Sequence, residues 1–165
     1  MRTSTAVVIA LLLTACAGAA PAPKSADIAT PLPALTLPRI AGGTWSSASA
    51  RGSVLVIDVW ASWCKPCSKA FPKLDALAAR RSDVVVVAIS IDEDPAAARG
   101  FIAQFPLAVT VAQDAEQTLT RAPVGVSRLP TVLIVDGNGV IRQRLEEPSE
   151  RDYDHLEDRI NAMAK

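Results

Sequence analysis

Two apolar runs, Val54–Val59 and Val84–Ile91, limit what this chain can fold into more than any other feature. Only Asp58 interrupts the first run, so both read as strands covered on both faces by other layers. Between them Phe71, Leu74, Leu77 and Ala78 recur at helical spacing within Ser68–Arg81, which predicts a helix bent by Pro72 in its second turn. A helix linking two buried strands is a crossover, so the strands are parallel and the unit is βαβ.

The flanking segments complete an α/β domain. Leu35–Ile40 and Thr44–Ser46, joined at Gly42-Gly43, predict an N-terminal hairpin capping one edge of the main sheet. After the second buried strand, Asp94-Pro95 opens a short helix to about Gln104. Ala108–Ala112 reads as a small strand and Glu116–Ala122 as another short helix. Thr131–Val135 and Val140–Arg144 are strands joined through Asp136-Gly137-Asn138-Gly139, a strong hairpin signal. A last helix starts near Ser149, with Asp152 as its capping-box partner, and runs on Tyr153, Leu156, Ile160 and Met163.

The first buried strand runs into Trp60-Ala61-Ser62-Trp63-Cys64-Lys65-Pro66-Cys67. Thiols three positions apart at a helix start can form and break a disulfide without moving the backbone. The helix N-terminus favours a thiolate at Cys64, the expected nucleophile, and Lys65 places a cation beside it. Pro66 preorganises the first turn. Cys67, one turn further in, is the expected resolving thiol. The same spacing also occurs in half of a zinc site, but there is no second Cys-x-x-Cys and the one histidine, His155, falls on the last helix, so no metal and no cofactor are expected.

Met1-Arg2 followed by the short apolar run Ala6–Leu13 has the pattern of an export signal. Leu13-Thr14-Ala15-Cys16 resembles a bacterial lipobox, which makes Cys16 a lipid-modified anchor; ordinary signal cleavage at the nearby small residues is the alternative. The expected organisation is therefore a leader over residues 1–16, a flexible Ala/Pro-rich tether over 17–33, and one domain over 34–165. With 17 basic and 17 acidic residues and no basic patch, the composition argues against nucleic-acid binding.

In combination, the Trp-Ala-Ser-Trp-Cys-Lys-Pro-Cys segment, Val126-Ser127-Arg128-Leu129-Pro130-Thr131, the Asp-Gly-Asn-Gly hairpin and the inserted helix and strand between Pro95 and Ala112 resemble the thioredoxin superfamily. Within it, they look like the exported TlpA/ResA-like thiol-disulfide oxidoreductases, over roughly residues 33–165. The resemblance implies a thioredoxin-like fold: a central mixed sheet flanked by helices, with an N-terminal hairpin and a helix/strand insertion. It implies a cis Pro130 facing the disulfide, whose turn leaves neighbouring backbone groups free for a substrate peptide. Trp63, Lys65, Pro66, Leu129 and Pro130 are then the expected substrate surface, while Trp60 reads equally as a family residue and as plain core, and Trp45 reads as hairpin packing.

Asp58, six residues before Cys64, matches the superfamily's buried acid, a base toward Cys67 whose desolvation raises its pKa. The lysine that accompanies that acid in thioredoxin is missing, its strand position being Ala88. A second family acid falls on Glu93, with Asp92 and Asp94 as competing registers. The resemblance further implies a monomer that reduces disulfides in exported clients, such as the haem-binding cysteines of apocytochrome c. Its electrons would come from a DsbD- or CcdA-like membrane protein, and its site would be the extracytoplasmic face of the membrane. Two other readings use the same residues. A peroxiredoxin would need Thr-x-x-Cys, and Ala61 stands where the threonine belongs. The other is a non-enzymatic adaptor or copper chaperone, in which the cysteines are structural or bind metal; copper-handling relatives pair them with a distant histidine, and His155 is poorly placed for that.

Overall fold

A computed structural model of the protein describes residues 25–163. Its eight strands are β1 (Ser25–Pro31), β2 (Thr36–Pro38), β3 (Thr44–Ser46), β4 (Val54–Trp60), β5 (Val84–Ser90), β6 (Thr110–Gln113), β7 (Thr131–Val135) and β8 (Val140–Glu146). The helices are α1 (Phe71–Arg80), α2 (Pro95–Gln104), α3 (Glu150–Asp154) and α4 (Leu156–Met163).

Six strands form a mixed sheet in the order β1-β8-β7-β4-β5-β6. β4 pairs parallel with β5, as the crossover requires, and antiparallel with β7. This central position buries both faces of β4. Val56 and Trp60 pack with α1, Phe101 of α2 and Tyr153, Leu156 and Ile160 of the C-terminal helices, while Leu55, Ile57 and Val59 pack on the opposite face with Trp45 of the hairpin. The β2–β3 hairpin sits against the β6 edge, where Ile40 N–H donates to the Val111 carbonyl at 2.9 Å. The Asp136–Gly139 turn closes as its residue types predict: Asp136 Oδ1 accepts from the N–H groups of Asn138 and Val140, and Gly139 takes φ +75°.

Four local expectations change. Residues 25–31 lie in the segment whose composition reads as tether, yet they form β1 along β8, with Leu32 buried just beyond. The outer edge of β8 offers unpaired backbone groups that an Ala- and Thr-containing extended segment satisfies, and Pro31 is tolerated on an edge strand. The predicted Ser68–Arg81 helix is a 3-10 turn, Lys65–Lys69, followed by α1, and Pro72 sits in the first turn of α1 instead of bending a longer helix. Lacking an N–H, Pro72 cannot reach back to the Ser68 carbonyl, and Ala70 N–H turns to Cys67 and Ser68 instead. Between Glu116 and Ala122 only a 3-10 turn, Thr118–Thr120, forms; it is preceded by Gln117 at φ +55°. The last helix starts at a Ser149–Asp152 capping box as predicted but breaks at His155 into α3 and α4. The leader and Cys16 lie outside the described residues.

Candidate active site

β4 delivers its last residue, Trp60, into the core, stacked 5.3 Å from Phe101 and edge-on to Phe71 at 5.5 Å. Trp60 is thus packing, as is Trp45 beneath the hairpin. The chain then turns through Ala61–Trp63, and Cys64 caps the 3-10 turn with its N–H donated to the Ala61 carbonyl. Cys64 and Cys67 are joined in a disulfide. Cys64 is 5% exposed and Cys67 is fully enclosed, so the first sulfur is the one an incoming group meets. Trp63, 70% exposed, stands beside it with the exposed Lys65 and Pro66.

Leu129–Pro130 is a cis peptide at the start of β7, and Pro130 borders a cleft of about 370 Å³ shared with Pro66, Ala70, Leu129 and Tyr153. The geometry therefore brings Pro66, which stands between the two cysteines in sequence, to one surface with Leu129 and Pro130. Lys69 and Glu150 face each other across the cleft's rim at 3.4 Å.

Asp58 is wholly buried on β4 opposite Ala88 of β5 and Val132 of β7, and its partner Tyr153 belongs to the core cluster that holds both cysteines. Desolvation pushes its carboxyl up to about 7, partly offset by one hydrogen bond in which Tyr153 Oη donates to Asp58 Oδ1 at 2.7 Å. Sequence patterning assigned Tyr153 to the apolar stripe of the last helix, and its ring is indeed in the core; the hydroxyl's target was not legible because nothing local links residues 58 and 153. A buried tyrosine near a buried acid that lacks its lysine is the signal that could have suggested it.

The acids that follow β5 differ in their surroundings. Glu93 is exposed on the loop after β5, whereas its neighbour Asp92 is buried and turns back to the active-site loop. Asp92 accepts from the Ser62 N–H (2.9 and 3.2 Å), the Ser62 hydroxyl (2.8 Å) and the Ser90 hydroxyl (2.8 Å). Gln113 Nε2 donates to the Asp92 carbonyl, tying β6 into the same network. The carboxylate thus fixes the backbone two residues before Cys64. Asp92→Ala leaves these donors unpaired, and chemical denaturation should register a loss of about 2–3 kcal/mol, with faster amide exchange at Ser62–Cys64 than elsewhere in the sheet.

Among the described residues no group of three His, Cys, Asp or Glu side chains is placed to hold a metal ion. Nor is any of their helices long and apolar enough to cross a membrane. A mixed sheet with a Cys-x-x-Cys turn after its central strand and a cis-proline opposite defines the thioredoxin-like class of redox domains. Residues 28–160 match the Redoxin family, and the chain belongs to it. It is 33% identical over 118 residues to the thiol:disulfide interchange protein DsbE of Pseudomonas fluorescens biotype C, covering 71% of this chain and 65% of that one. It is 30% identical over 97 residues to the thiol-disulfide oxidoreductase ResA of Bacillus thuringiensis (strain Al Hakam), covering 58% and 56%. The chain thus spans less than two thirds of the length of these curated relatives. Among solved structures, a protein from Chlorobium tepidum assigned as thiol:disulfide interchange protein DsbE superposes with a TM-score of 0.75 at 33% identity, over 82% of this chain and 96% of that one. The TlpA/ResA-like resemblance and the thioredoxin-like fold both stand.

Proposed function

We propose that this protein is an exported thiol-disulfide oxidoreductase working through the Cys64–Cys67 pair. The observation that carries this reading is a disulfide whose first cysteine keeps a slight exposure (5%) while the second is enclosed, with the wholly buried Asp58 bonded to Tyr153 of the same core cluster. In the reducing direction the Cys64 thiolate attacks a client disulfide, forming a mixed disulfide and releasing one client thiolate. Asp58 takes the Cys67 proton. The Cys67 thiolate then attacks Cys64 Sγ, expels the second client thiolate and leaves the enzyme oxidised. An external dithiol must return two electrons before the next cycle.

Trp63, Lys65, Pro66, Leu129 and Pro130 form the client surface in this reading. Glu93, exposed on the loop after β5, and the buried Asp92 beside it are two registers for the family's second acid. Clients are exported proteins carrying disulfides, apocytochrome c among them, and a DsbD- or CcdA-like membrane protein supplies the electrons. Residues 1–16 act as an export leader, with Cys16 lipidated to hold the domain at the extracytoplasmic face as a monomer. The names of the DsbE and ResA relatives support the exchange chemistry, and the apolar leader supports export.

The reduction potential of the Cys64/Cys67 couple, followed by tryptophan fluorescence in defined thiol buffers, tests the direction. A value at or below about −250 mV is expected of a reductant; one near about −120 mV would reverse the physiological direction.

A further inference from the structure

Among the described residues one side chain, that of Tyr153, hydrogen-bonds to the Asp58 carboxyl. On the neighbouring strands the residues opposite it, Ala88 and Val132, carry no charge. In the apolar cluster on this side of the sheet stand the Cys64–Cys67 pair of the active-site turn and Tyr153 of α3, and the Asp152 carboxylate of α3 acts on the Tyr153 phenol. Tyr153 Oη holds Oδ1, and Oδ2 has no hydrogen-bond partner among the described residues. The same ring lines the cleft beside Pro66 and Pro130, so it stands between the buried acid and the client surface.

Tyr153 is also firmly placed. The Ser149–Asp152 capping box sets the first turn of α3, and Lys73 of α1 meets Asp154 at 2.6 Å, so the tyrosine is carried on a segment tied to the helix that follows the cysteines. Burial and the Asp58 and Asp152 carboxylates push the phenol's pKa up, so the hydroxyl stays a donor throughout the working range of pH.

We infer that Tyr153 is a positioning residue for the exchange reaction: its hydroxyl holds Asp58 Oδ1, favours the ionised carboxylate and leaves Oδ2 to take the Cys67 proton. The inference rests on Asp58 being the base of the proposed mechanism. A phenol does here, as a neutral donor, what a cation could do only with a second buried charge. The step it serves is a single proton transfer: Cys67 S–H gives its proton to Asp58, the resulting thiolate forms the Cys64–Cys67 bond, and the client sulfur leaves with the electron pair.

The test is the titration of Asp58 in the full chain, read by carbon NMR of labelled aspartate, beside the pH profile of insulin reduction. Tyr153→Phe keeps the ring and removes the donor. The Asp58 midpoint should rise by about one to two pH units. At pH 7 turnover should fall about five- to fiftyfold and recover toward alkaline pH, as the ionised fraction dictates. Tyr153 is the chain's one tyrosine, so incorporation of 3-fluorotyrosine alters this hydroxyl alone without removing any atom of it. Its more acidic phenol is a stronger donor and should move the midpoint down, a change of opposite sign that a purely structural role would not produce. An Asp58 midpoint unmoved by both replacements overturns the inference and leaves the base role standing. A midpoint that moves, together with an Asp58→Asn variant whose pH profile equals that of the unaltered protein, overturns the base role and the positioning role with it.

Discussion

Cys64→Ser should abolish insulin disulfide reduction, lowering turnover by at least about a thousandfold, because a serine hydroxyl neither ionises in the working range nor exchanges with a disulfide sulfur. Cys67→Ser should behave differently. Cys64 still attacks, but nothing inside the protein attacks back, so the variant accumulates as covalent adducts with its clients. Non-reducing electrophoresis should show these adducts and dithiothreitol should dissolve them. The assignment follows from access: Cys64 retains 5% exposure and follows the exposed Trp63 in sequence, while Cys67 is fully enclosed in the cluster with Trp60, Ala70 and Phe71. Adducts formed by Cys64→Ser, with Cys67→Ser inert, would exchange the two roles.

The second large effect concerns Asp58→Asn. An unfolded aspartate ionises near 3.8, whereas burial holds the folded one near about 7. Between those values the folded chain binds a proton that the unfolded chain has released. Stability therefore falls as pH rises from about 4 and levels off above about 7, with a total change of about 4 kcal/mol. Asparagine has nothing to ionise and can still accept from Tyr153. The variant should match the unaltered protein near pH 4 and exceed its stability by up to about 4 kcal/mol at pH 8 in denaturant titrations. A constant difference across that range would show that Asp58 does not titrate as its burial dictates. The same substitution should slow resolution of the mixed disulfide at pH 8, since the base is gone, so the stabler protein is the poorer catalyst.

The sequence carried the fold where burial is two-sided. Val54–Trp60 and Val84–Ser90 were legible because a strand covered by helices on one face and by a hairpin on the other has no polar face to obscure its pattern. The redox pair was legible because its chemistry is local, with two thiols one turn apart. What was not legible depends on partners distant in sequence. β1 exists because β8 has an open edge, which its own Ala-rich composition cannot announce. Pro72 was visible, but whether it bends a helix or starts one depends on how Cys67 and Ser68 spend their carbonyls. Asp92 and Glu93 are neighbours of like chemistry, and only the return of Ser62 and Ser90 toward the loop separates the buried acid from the exposed one. Tyr153 reads as core from its spacing, and that is correct for its ring and silent about its hydroxyl.

The direction of β1 sets how the whole domain is carried. Ser25 pairs with Leu145, Leu145 with Val132, and Thr131 of the same strand with Val59, so β1 begins at the end of the sheet that bears the disulfide. It lies three strands from β4, about 14 Å across the sheet. Met163 borders a surface pocket with Ile28 and with Asp136, which lies at the opposite end. A group attached ahead of Ser25 therefore joins the described domain at the end of the sheet that bears the redox pair, while a fusion after α4 joins it near the Asp136 turn at the other end.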